Sequence, residues 1–248
     1  EAAVRAGTPV VDASGALHSD AVPLGIPWVN PEALLGQQRG VLAVPSPEAI
    51  LAATVLGPLQ RAGLDGATEA TFMLPASRFG RRGIEELSAQ VVALFNAGTP
   101  PRSVFADGLA FDVLPSAGEA VGQGWSALEQ RVSRELHALV ELEDVPVLCT
   151  AVPVFSGLSM ELRIEPSRRP VPDLVRQILV DAGVQVPAGD APRELPRPRR
   201  VEGMPFPSAG RIRVDDRGEV LRIWASMDNL RASATVVVGL AGLLLRPA

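Results

Sequence analysis

Apolar residues recur along this chain with two periods, one extended and one helical. Short apolar runs at residues 8–11, 24–29 and 69–74 predict buried strands. Ser46-Pro47 predicts a helix start, with serine as the cap and proline at the first helical position. Ile50, Leu51, Val55 and Leu59 then follow at helical spacing. Ile84, Leu87, Val91, Leu94 and Phe95 mark an amphipathic helix stopped by Gly98 and Pro100. Trp125, Leu128, Val132, Leu136 and Leu139 mark another. Residues 145–155 and 160–164 read as paired strands, and 172–183 as a helix. The proline- and glycine-rich stretch 187–210 reads as a surface excursion. Residues 211–214 and 220–227 predict closing strands, and 230–245 a final apolar helix. Residues 1–7 read as the end of a helix. The order predicts an α/β or α+β protein, a mixed sheet with helices on one face.

Bulk properties narrow the function classes. A hydrophobic share of 47% and a charged share of 21% belong to a globular chain with a real core. The net charge of -5 gives no reason to expect nucleic acid or an anionic membrane as partner. All 23 basic residues are arginine, and lysine and tyrosine are absent. That excludes a lysine Schiff base and a tyrosine general acid. One cysteine, Cys149, cannot form an internal disulfide and points to a reducing, cytoplasmic compartment. The longest apolar run, residues 234–245, is too short to span a bilayer.

Few residues outside the helices and strands carry chemistry. His18 and His137 are the only histidines, and with Cys149 they make no spaced metal cluster. His137 reads as a surface residue and Cys149 as an inert thiol in an apolar strand. Residues 192–198 contain P-x-x-P between arginines, either a plain linker or a ligand for an aromatic groove. No G-x-G-x-x-G occurs; Gly122-Gln123-Gly124 lacks the third glycine and a preceding strand.

The stretches VVDASGAL, VPLGIPWVNPEAL, GIEELSAQ, VPVFSGLS and RIWASMDNLR resemble aspartate-semialdehyde dehydrogenases in content, order and spacing, and more closely the divergent USG-1-type paralogues. The resemblance runs from about Gly7 to Leu245. It implies the C-terminal part of a Rossmann-type domain at 1–47, a dimerisation and former catalytic domain at 48–226, and a returning C-terminal helix at 227–248. It places the glycine-rich nucleotide turn upstream of Glu1. NADP is therefore a cofactor only if such a segment exists, and none is expected in this chain.

The family's reactive letters are changed. The nucleophilic cysteine of the N-P-S-C pattern falls at Pro47, which has neither thiol nor backbone N–H. Ser46 could attack only with an adjacent base, and as a helix cap it is already explained. The acid/base histidine falls at Leu158. The carboxylate-binding arginine before V-P-V falls at Ala151, the phosphate-binding arginine at His18 and the orienting glutamine at Leu74. Asn229, in the D-N-L-R match, corresponds to the cofactor's nicotinamide end, or else is a turn residue beside the cap. Glu129 matches the substrate-side helix or is solvated. Asn30 is expected to fix a turn.

The resemblance implies a non-catalytic homologue retained as a dimeric scaffold, a homodimer or a heterodimer with an active paralogue. Two alternatives are an NADP-dependent oxidoreductase with a modified mechanism and a dinucleotide-binding sensor.

Overall fold

The computed structural model describes residues 6–18, 22–34, 40–143 and 145–245. In chain order they form β1 (Val10–Asp12), a 3-10 turn (Pro31–Leu34), β2 (Val41–Ala43), α1 (Pro47–Arg61), β3 (Gly66–Leu74), a 3-10 turn (Ala76–Phe79) and α2 (Gly80–Phe95). A small hairpin, β4 (Ala120–Gly122) and β5 (Trp125–Ser126), leads into α3 (Ala127–Val140). Then come β6 (Val147–Ala151), β7 (Leu158–Pro166), α4 (Pro172–Asp181), a short α5 (Pro198–Val201), β8 (Ser208–Val214), β9 (Leu221–Met227) and α6 (Asn229–Leu244). The helix end expected over residues 1–7 lies mostly outside the described residues.

One five-stranded sheet, ordered β6-β3-β7-β9-β8, organises the chain. β3 runs parallel to β6 and antiparallel to β7, and the remaining pairs are antiparallel. β7 alternates cleanly: Leu158, Met160, Leu162 and Ile164 are buried, while Glu161, Arg163 and Glu165 point to the opposite face. Against the apolar face packs α1, in which only Pro47, Gln60 and Arg61 escape full burial. Such an all-round apolar helix belongs in the middle of a core. Around it, α3 contributes Val132 and Leu136, α4 Val175 and Leu179, and α6 Val236 and Leu240, all without exposed surface. Each such side chain stabilises the fold by about 1.5–3 kcal/mol.

Several expectations need correction. Residues 24–29 are not a strand. A single bridge joins Leu24 to Ala43, after which the Asn30 side chain takes the Ile26 N–H and the Leu24 carbonyl at 2.9 Å each. Asn30 thus fixes a turn as expected, and Pro23 and Pro27 withhold ladder donors. The strands read at 145–155 and 160–164 do not pair with each other, because β3 lies between them. The first also stops at Ala151, two residues before Pro153. The excursion 187–210 is less superficial than its composition suggests. Pro196 is buried, its carbonyl accepts from Trp224 Nε1 at 2.8 Å, and Ser208 already begins β8. The second proline of the P-x-x-P segment is therefore packed on its own sheet, while Pro192 and Arg193 stay exposed.

The outer edge of β6 is closed from within. Of the two readings of Glu129, a match to the substrate-side helix or a solvated residue, the second fails, because it is only 3% exposed. One carboxylate oxygen accepts from Ser126 N (2.8 Å) in a capping box, and the other from Cys149 N (2.9 Å). Leu114 pairs with Ala151 a little farther along. An edge so occupied cannot recruit another strand there.

The loop after α2 is held by two side chains one turn apart. Glu86 accepts from the backbone N–H groups of Ser103, Val104 and Phe105 at 2.8 Å each, and from the Ser103 hydroxyl. Gln90 accepts from Leu109 N and Ala110 N and donates to the Pro101 carbonyl. Burial opposes ionisation of Glu86, but the Ser103 hydroxyl and these N–H groups outweigh it and hold the carboxyl below its usual range. Because the folded value is depressed, the stabilisation is present at neutral pH and is lost as pH falls through it. Glu86→Ala is expected to cost about 2–4 kcal/mol in urea denaturation at pH 7. The difference between variant and parent should shrink below about pH 4, where the unfolded carboxyl is protonated.

Candidate functional site

The N-terminus of α1 opens at the end of the sheet where β3, β6 and β9 finish and β7 begins. Ser46 caps it: its hydroxyl accepts from Ala49 N at 3.3 Å, and Pro47 occupies the first helical position. The helix forms here because serine satisfies one orphan N–H and proline has none to lose.

Two polar clusters seal this end. In the first, Glu135 from α3 accepts the backbone N–H of Ser46 at 2.9 Å. The other carboxylate oxygen receives Arg131 Nε at 2.7 Å and lies 3.0 Å from His18 Nδ1. His18 Nε2 stands 2.9 Å from the Val44 carbonyl, so that nitrogen donates. Burial works against the Glu135 charge, yet the contacts with His18, Ser46 and Arg131 prevail and lower its pKa. A cleft of about 750 Å³ adjoins this cluster, with His18, Arg131, Arg134 and Glu135 on its wall.

In the second cluster, Glu48 of the first turn of α1 has no exposed surface and meets Arg78 Nε at 2.6 Å through one oxygen. Its other oxygen is buried and without a partner among the described residues. An acidic side chain at this end is favoured by the helix dipole. Beside the pair, Asn229 Oδ1 accepts from Ser77 Oγ (3.1 Å) and Gly157 N (3.3 Å). Asp228 caps α6 and also holds Gly203 N. The Asn229 oxygen therefore ties the turn after β3, the turn before β7 and the start of α6 together.

The positions named from sequence gather at this end of the sheet. Leu74 and Ala151 face each other across β3 and β6, and Leu158 pairs with Met227. All three side chains are buried, with Leu74 and Leu158 in the main core and Ala151 in a small second cluster. Pro47 is half-buried, and His18 joins through Glu135 and Ser46. The only sulfhydryl, Cys149, is buried; burial first, then the carboxylates of Glu48 and Glu129, push its pKa up. His137 is exposed. No group of three metal-ligating side chains occurs among the described residues.

Sequence reasoning did not single out Glu48, Arg78, Ser77 or Glu135. Glu48 had a signal, an acid in a first helical turn, and Glu135 another, its spacing of four from Arg131. Arg78 had none, because its partner lies thirty residues away in the chain. Breaking the pair with Arg78→Ala is expected to destabilise by about 3–5 kcal/mol, since the buried Glu48 is left without its partner. The double variant Glu48→Met/Arg78→Met should recover most of that loss in the same urea titration.

Comparison with known proteins matches this geometry to a family. The family model described as semialdehyde dehydrogenase, dimerisation domain, matches residues 56–232. A USG-1 protein homolog of Azotobacter vinelandii is 32% identical over 250 residues, covering 97% of this chain and 73% of that protein. An aspartate-semialdehyde dehydrogenase of Streptomyces akiyoshiensis is 34% identical over 251 residues, covering 93% and 72%. The crystal structure of aspartate semialdehyde dehydrogenase II of Vibrio cholerae, complexed with ASA, superposes with a TM-score of 0.92 at 27% identity, over 99% of this chain and 74% of that one. With the family model covering most of the chain and relatives above 30% identity along it, this protein belongs to the semialdehyde dehydrogenase dimerisation-domain family.

Proposed function

We propose that this protein is a non-catalytic member of its family, serving as a homodimeric scaffold. The observation carrying this reading is the start of α1. The family's thiol position is a proline, and the surrounding polar groups bond mainly to one another, Glu48 Oε2 excepted. Ser46, Glu135, His18 and Arg131 form one closed set, and Glu48 with Arg78 forms another. No thiol stands at the helix end to attack a carbonyl, and the one imidazole near it, His18, is held against the Val44 carbonyl and Glu135. Leu158, in the acid/base position, is wholly apolar and buried.

The family's dimerisation domain supports a homodimer. Its surface is the sheet face turned away from α1. There Leu148, Thr71, Glu161 and Trp224 form one row across four strands, and Glu69, Arg163 and Arg222 the next. Ion pairs Arg163–Glu69 and Arg222–Glu161 keep this face polar while Leu148 and Trp224 supply apolar contact. A two-fold axis across such a face sets the same patch against itself.

Assayed with NADP, phosphate and aspartate semialdehyde, the protein is expected to show no turnover. A rate on the order of 1 s⁻¹ or more would refute the reading. Pro47→Cys with Leu158→His should introduce a thiol that reacts with alkylating reagents faster than Cys149 does. Leu148→Arg, at a side chain 49% exposed in the protomer, should leave the fold intact and convert dimer to monomer in light scattering.

A further inference from the structure

The turn between β6 and β7 and the short helix α5 enclose a second cleft of about 490 Å³, within the range of small-molecule pockets. Pro153, Val154, Phe155 and Ser156 line one wall; Arg197, Pro198, Arg199 and Glu202 line the other. No residue of the sealed cluster at the start of α1 takes part.

Both walls are fixed. The carbonyls of Val154 and Phe155 accept from Ala76 N (2.7 Å) and Ser77 N (2.9 Å). The opposite wall is anchored by the bond of Pro196 to Trp224, by Gly203 N on Asp228 and by the buried Val201. The walls touch at Gly157, where φ is +93° and a Cβ would lie 2.6 Å from Pro198 Cα. Only glycine suits that backbone and that approach. The cleft is therefore formed before any ligand arrives, which spares a ligand the cost of ordering it.

Its chemistry is two-sided. Phe155 is 47% exposed, and with Pro153, Val154 and Pro198 it presents an apolar surface. Arg197 and Arg199 are exposed at the rim, and neither joins an ion pair among the described residues. Against them stands one carboxylate, Glu202, so the cleft has a single excess positive charge in a chain whose net charge is -5. A guanidinium recognises a carboxylate through two parallel N–H donors, and a ring or branched chain fits the Phe155 side.

The geometry points to a binding site for a small amphiphilic carboxylate, one anionic group on an apolar body of about a ring's size, between the β6–β7 turn and α5. Phenylacetate is the probe, with benzyl alcohol as its uncharged counterpart and inorganic phosphate as an anion without a body. By calorimetry at low ionic strength, phenylacetate should bind saturably with a millimolar or tighter Kd, and each control about tenfold more weakly. Arg197→Gln/Arg199→Gln should lose about tenfold in phenylacetate affinity, and Phe155→Ala several-fold. All three side chains are exposed, so circular dichroism should report an unchanged fold. Absence of saturation by about 20 mM phenylacetate, or equal affinity in the arginine variant, would overturn the site. Equal binding of benzyl alcohol would overturn the carboxylate class. Light scattering on the same variants keeps this test separate from the dimer, whose proposed surface includes none of these residues.

Discussion

Burying the first turn of α1 is the constraint on which this structure turns. The helix is apolar on every side and sits at the centre of the core. Its N-terminal donors therefore open into protein, where an unsatisfied N–H costs as much as a lost hydrogen bond. Ser46 answers one donor, Pro47 removes another, and Glu135 takes the N–H of the cap itself. Those choices draw α3, His18 and Arg131 to the same place. Glu48, carried inward by the helix, in turn calls for Arg78. The end of the sheet is closed because the helix start had to be.

Buried carboxylates recur as the fold's connectors. Glu86 gathers the loop after α2, Glu129 joins a helix cap to an edge strand, and Glu135 joins a helix cap to α3 and His18. Each accepts at least one backbone N–H and so cross-links segments distant in sequence. Glu48 differs, since only one of its oxygens is answered. In a chain without lysine, the ion pairs among the described residues are made by arginine, with His18 beside Glu135. The planar guanidinium suits buried and partly buried pairs of this kind.

This arrangement separates architecture from reactivity. The family's fold persists with a TM-score of 0.92 against a solved relative, and the end of the sheet beside the start of α1 holds Pro47, Leu74, Ala151 and Leu158. Hydrophobic packing tolerates such side chains, because leucine and alanine add to a core that an imidazole or guanidinium would interrupt.

Periodicity and local chemistry were enough to place most elements. Residues 50–59 announced α1, 84–95 announced α2, and the Ser46 cap and the Asn30 turn could be read from side chains that bond their own neighbourhoods. The family could be read from motifs such as VVDASGAL and RIWASMDNLR. What the chain alone did not decide were pairings at long range. These were β3 inserted between β6 and β7, Pro196 lodged against Trp224, Glu129 turned inward to Cys149, and Arg78 reaching Glu48. Local pattern records which face of an element is apolar. Which distant groups meet across that face is fixed only when the core closes and each buried polar atom must find a partner.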